Sequence, residues 1–136
     1  MRRLPGTDLT STPAARRYVR DTARSWGLLQ DQVETLEVIT SELVTNALEH
    51  AGAETVTVVL ALADRTVTLS VTDEGQDGLH VAEEGFLEVG APEEGESESG
   101  RGLLIVSALA DRWGRYGAPG GLTVWAEMDA VRATAR

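Results

Sequence analysis

Three short segments of this chain hold the residues whose types and spacing could do chemistry. In the first, Glu42, Asn46 and His50 recur every four residues, so on a helix they lie near one line, with Glu49 beside them. Asparagine is a mediocre helix former, and an amide in mid-helix beside apolar neighbours needs a reason. One reason is Mg²⁺, which takes few protein oxygens and completes its octahedron with water and substrate phosphates. The adjacent carboxylate of Glu42 could then serve as a general base toward water or a hydroxyl. The plainer alternative is a solvated polar face with Asn46 bonded locally.

The second segment is Asp73-Glu74-Gly75-Gln76-Asp77-Gly78. An ionised carboxylate there suits an exocyclic amine such as that of adenine, and Gly75 lets backbone pass close to a flat ring. An ordinary acidic turn is the competing account. The third is Ser99-Gly100-Arg101-Gly102-Leu103. Glycines before a helix expose amides that can hold phosphate oxygens, helped by the positive end of the helix dipole, and Arg101 adds a fixed charge. A flexible helix lead-in is the alternative.

These segments need elements to position them. Residues 1–11 show no periodicity and read as a loose N-terminal arm. Ser11 or Thr12 can cap a helix whose first turn accepts Pro13; Ala15, Tyr18, Val19, Thr22, Ala23 and Trp26 follow at helical spacing, and Gly27 stops it. A longer helix begins at Asp31, with Glu34 completing a capping box, and ends at Ala51-Gly52. Residues 54–62 and 66–72 read as strands joined at Ala63-Asp64-Arg65. In the second strand Val67, Leu69 and Val71 share one face, and residue 73 falls on that face. A carboxylate is thus aimed at the core, which is unfavourable unless it meets a partner. Residues 76–99 dissolve into Gly, Glu, Ser and Pro, the signature of a functional lid or a disordered segment. Helix returns over 101–112, followed by a hairpin with its turn at 118–121 and a strand over 122–128. The order implies an α+β fold with helices on one face of a mixed, mostly antiparallel sheet, all within one domain over 12–130.

Composition narrows the function. The chain has 136 residues, 42% hydrophobic and 25% charged, with a formal net charge of −10 and no cysteine. Disulfides and thiolate metal sites are excluded. All 12 basic residues are arginine, and so acidic a chain has no electrostatic footprint for nucleic acid or anionic lipid. No apolar run approaches the ~20 residues that span a bilayer, and no signal peptide opens the chain. The expectation is a cytoplasmic protein.

The order of the motifs is more specific than any one of them. The chain resembles the GHKL (Bergerat-fold) ATPases, and among them the anti-sigma factor serine kinases and their small ATP-binding relatives, over about residues 13–128. The resemblance lies in Glu42-Leu43-Val44-Thr45-Asn46-Ala47 through His50-Ala51, in Asp73-Glu74-Gly75, in Gly100-Arg101-Gly102-Leu103, and in the closing Gly121-Leu122-Thr123-Val124-Trp125. It implies a Bergerat-type two-layer sandwich binding ATP or ADP with Mg²⁺. Asn46 would ligate the Mg²⁺ and Glu42 would be the catalytic base. Asp73 would bind adenine, with Gly75, Gly78 and Thr123 around it. Gly100, Arg101, Gly102 and Leu103 would close over the phosphates, and residues 76–99 would form the ATP lid. Kinases of this kind tend to carry a basic residue just before the Ser-Gly, where this chain has Glu98; Glu93, Glu94 and Glu96 make the lid acidic, which opposes a γ-phosphate.

The implied activity is transfer of the ATP γ-phosphate to a Ser or Thr of an anti-sigma antagonist. A non-catalytic, nucleotide-gated module that sequesters a sigma factor or another protein is the alternative. A histidine-kinase ATPase domain would need a separate subunit to supply the His-bearing helices. Arg16, Arg17, Arg20 and Arg24 crowd one side of the first helix and hold a third of the basic residues. They form either a solvated stripe or a docking face for an acidic partner or a second copy, as in a homodimer. His50 reads as a helix-end cation, and Trp26, Trp113 and Trp125 as packing residues.

Overall fold

Alternation in the residue 66–72 segment becomes β3 (Thr66–Glu74), a strand with Val67, Leu69, Val71 and Asp73 buried and the threonines between them half-exposed. The computed structural model describes residues 1–5, 10–50, 55–74, 86–89, 98–118 and 121–132, with backbone alone at 50, 86–89, 98–102 and 118. β2 (Thr55–Ala63) pairs with β3 through a two-residue turn in which Asp64 takes φ 55°, a left-handed conformation that Asp tolerates. On the other side of β3 lies β6 (Gly121–Asp129), hairpinned to β5 (Arg112–Ala118). With β1 (Arg2–Pro5) and β4 (Phe86–Val89), the order across the sheet is β1-β2-β3-β6-β5-β4. All the pairings among the described residues are antiparallel.

The helices lie on one face, giving the expected α+β two-layer sandwich. α1 (Ser11–Ser25) buries Ala15, Val19 and Ala23; α2 (Gln30–His50) buries Val33, Leu36, Ile39, Leu43 and Val44; α3 (Glu98–Leu109) buries Leu103 and Val106. Leu36 and Ile39 are 1% and 0% exposed, and truncating either to alanine should destabilise the fold by about 2–5 kcal/mol. α1 ends at Ser25, and the chain turns away from it at Gly27, whose φ of 77° suits glycine.

Four expectations are corrected. The loose arm is instead a strand at residues 2–5: Arg2 to Pro5 pair with Val58 to Thr55, and Leu4 is buried. Four residues are too few to show a period, but the outer edge of β2 offers unpaired backbone groups that they satisfy. Ser11 does not cap α1; its hydroxyl donates to the Pro5 carbonyl at 2.7 Å and ties the helix start to β1. The expected lid over 76–99 contains β4 and, from Glu98, the first turn of α3; the rest of it lies outside the described residues. α3 ends at Leu109 rather than residue 112, because Arg112 enters the sheet and pairs with Glu127 across β6 at 2.9 Å.

Candidate functional site

Period-two alternation carries Asp73 to the helix-covered face, in the last core-facing position of β3, where it is 6% exposed. Val56 and Leu122 flank it on the neighbouring strands. The Leu122 N–H donates to Asp73 Oδ1 at 3.4 Å, a long bond that steadies one carboxylate oxygen. Gly121 makes this approach possible: a Cβ there would overlap the Asp73 carbonyl oxygen and lie 3.1 Å from its carbonyl carbon.

α2 packs against both β3 and α3 and is the shared neighbour of the other two segments. Ile39, Leu43 and Asn46 follow one another on its inner side at helical spacing, the first two 0% and 2% exposed. The Asn46 Oδ1 is buried and has no hydrogen-bond partner among the described residues. Such an oxygen is costly unless something else satisfies it. Glu42, one turn earlier, is half-buried. Among the described residues no group of three or more His, Asp or Glu could hold a metal. A cation at Asn46 could complete its shell with water or a bound anion, which is the habit of Mg²⁺ beside phosphates.

α3 begins at Glu98, before the expected Gly-Arg-Gly lead-in, so of that segment only Gly100 falls among the unpaired amides that, with the dipole, favour an anion; Arg101 and Gly102 lie one turn further in. Leu103 anchors that turn in the core at 3% exposure. Gly75, Gly78 and the Arg101 side chain lie outside what is described. Together these elements offer a buried acceptor for an amine, a buried oxygen for a cation, and a helix start for phosphate oxygens.

Thr123 is placed otherwise than expected. Its hydroxyl meets that of Thr72 at 2.7 Å, and alternation puts both on the uncovered face of the sheet, opposite to Asp73. The residue beside the carboxylate is Leu122. The run Leu122, Val124, Ala126, Met128 carried that signal, since it marks the core face of β6 and excludes Thr123 from it. Sequence reasoning gave Gly121 as a turn residue and as the start of the closing motif, and missed its close approach to Asp73.

On the other side of α2, Arg16, Arg17 and Arg20 line a groove against α2, whereas Arg24 lies in the last turn of α1. Trp113 is buried under the Arg115 guanidinium, 5.8 Å from its ring centre. None of the described helices is long and apolar enough to cross a membrane.

A family model described as histidine kinase-like ATPase domain matches residues 6–128. Comparison with curated proteins finds no match.

Proposed function

Because the chain belongs to the histidine kinase-like ATPase family, whose domain binds ATP, we propose that it is a cytoplasmic regulator of the anti-sigma factor type. It would transfer the γ-phosphate of ATP to a Ser or Thr of an antagonist protein. The observation that carries this reading is the buried Asn46 Oδ1, without a hydrogen-bond partner among the described residues, one helical turn from Glu42. A core does not retain such an oxygen for stability, but a nucleotide site with Mg²⁺ needs one.

In this reading Asp73 accepts a hydrogen bond from the adenine amino group, with Leu122 as its apolar neighbour and Gly75 and Gly78 giving the ring room. Gly100 lies at the helix start that holds phosphate oxygens, Arg101 and Gly102 follow it in the next turn, and Leu103 fixes that turn on the core. Asn46 is the protein ligand of Mg²⁺, which when bound neutralises phosphate charge. Glu42 takes the proton from the acceptor hydroxyl as that oxygen bonds to the γ-phosphorus; the bond from phosphorus to the bridging oxygen breaks and ADP leaves. Arg16, Arg17, Arg20 and Arg24 give α1 the fixed charge of a protein-docking face, for a sigma factor, an antagonist or a second copy.

One observation favours a second reading, in which the protein is a nucleotide-gated module that sequesters its partner without catalysis. Glu93, Glu94, Glu96 and Glu98 precede the second glycine pair with no basic residue among them, and they oppose the charge that develops on a transferring phosphoryl group. Incubation with γ-labelled ATP and candidate antagonist proteins decides. Label on the antagonist, lost in Glu42→Gln, supports the kinase; nucleotide-dependent partner binding without label supports the module. Absence of adenine-nucleotide binding by calorimetry overturns both.

A further inference from the structure

We propose that Gly117 sets the width of the nucleotide site, as a bare position on the sheet over which the ribose and its first phosphate pass. The proposal rests on the reading of Asp73 and the start of α3 as the two ends of an ATP site, and it adds a residue between them.

Directly opposed residues of antiparallel strands share a face. The pairs Asp73–Leu122 and Leu122–Gly117 therefore make one row across β3, β6 and β5, on the face that the helices cover. Neighbouring strands stand about 5 Å apart, so Gly117 lies about 10 Å from Asp73 with Leu122 between them. α3 folds back over β5, with only Ala110 and Asp111 separating Leu109 from Arg112. Back from that turn to Gly100 the helix rises about 15 Å, and forward to Gly117 the strand runs about 20 Å. Gly117 and the start of α3 thus share one end of the sandwich, the end at which β3 presents Asp73.

Nothing in the fold calls for glycine at position 117. It lies within β5, and among the described residues the left-handed glycine conformation occurs at Gly27. Gly117 is buried, yet a Cβ built there meets no atom of the described residues within 4 Å. Gly121, in the same hairpin, is the contrast, since a Cβ there would overlap the Asp73 carbonyl oxygen. A glycine inside a strand weakens it and recurs where a ligand or another backbone approaches closely. At Gly117 no backbone makes that approach among the described residues, which leaves the ligand. A flat base bonded to Asp73 covers Leu122, the next position of the row. What continues past the base toward α3 is the sugar with its phosphates, and the space over Gly117 lies on that path. A side chain there leaves the base its carboxylate but obstructs the way to the helix start.

Gly117→Ala, Gly117→Val and Gly117→Leu, each in the whole chain, test this. Denaturant midpoints without ligand should stay at or above that of the wild type, because each side chain enters open space and glycine is a poor strand residue. ATP and ADP affinity, read by calorimetry, should fall with side-chain size, by roughly tenfold or more for valine and leucine. Adenine, read by ligand-observed NMR, should bind all four proteins within a factor of about 3. A midpoint that drops along with affinity would make Gly117 a structural residue and overturn the proposal. Adenine that fails to bind the wild type, or that is lost together with ATP, would overturn it too. If the wild type binds ATP and the leucine variant binds it equally, the proposal falls while the ATP site stands. A wild type that binds no adenine nucleotide removes both, so the two failures are distinguishable.

Discussion

Replacing Asn46 with alanine should move stability and ligand response in opposite directions. In the nucleotide-free protein the buried Oδ1 lacks a partner among the described residues, a state that costs about 1–3 kcal/mol. Alanine removes that oxygen and adds about 0.5 kcal/mol of helix propensity. Against this stand the contacts of a half-buried side chain, about 1 kcal/mol. The balance makes the nucleotide-free variant more stable by about 0.5–2.5 kcal/mol, which for a chain of 136 residues raises Tm by roughly 2–9 °C. Ligand at a hundred times its Kd stabilises the wild type by about 2.7 kcal/mol. The Mg²⁺-dependent part of that gain should vanish in the variant. Thermal unfolding is measured without nucleotide, with ATP and EDTA, and with Mg-ATP. A variant less stable than wild type by more than about 1 kcal/mol without nucleotide would make Asn46 a structural residue. A retained Mg²⁺-dependent shift would equally refute the reasoning.

Asp73→Asn should weaken adenine nucleotides by about 1.5–3 kcal/mol, roughly 10- to 150-fold, the scale of a charged hydrogen bond; equal affinity by calorimetry, or equal binding of GTP by the wild type, counts against this pocket. Glu42→Gln should leave nucleotide affinity within a factor of about 3, below 1 kcal/mol, and abolish hydrolysis or transfer; turnover at the wild-type rate removes the base assignment. Gly121→Ala should force β6 away from Asp73 and lower stability by about 1–3 kcal/mol, read as a denaturant midpoint. It should also weaken ATP binding, and a variant unchanged in both respects would show that the close approach is unnecessary.

Much of this fold is legible because apolar residues follow the period of the element they occupy. Val67, Leu69 and Val71 announce β3, and Val33, Leu36, Ile39 and Leu43 announce α2. β1 is illegible for a different reason. Its strand character comes from pairing with β2, and only Leu4 of its four residues is buried. The boundary of α3 is blurred because Ala108, Leu109 and Ala110 suit a helix while Arg112 is drawn into the sheet by Glu127. Asp73 and Asn46 could be singled out by chemistry and resemblance. The neighbour of Asp73 required the register of β6, and the groove that Arg16, Arg17 and Arg20 line required the packing of α1 on α2. Neither is a local property of the chain.

Asp73 and Asn46 violate the patterns of their own elements in the same way. Asp73 completes the buried series Val67, Leu69, Val71, and Asn46 follows Ile39 and Leu43 on the inner side of α2. A valine and a leucine would fit those periods better and would leave no buried polar oxygen. Two such violations on packed elements, α2 and β3, are hard to reconcile with selection for stability alone, since each by itself disfavours the empty fold. They are consistent with a fold completed by its ligand. At Asn46 a cation satisfies an oxygen that has no partner among the described residues, and at Asp73 an amine adds to the bond from Leu122, so one ligand meets both polar groups that the packing of α2 on β3 holds in place.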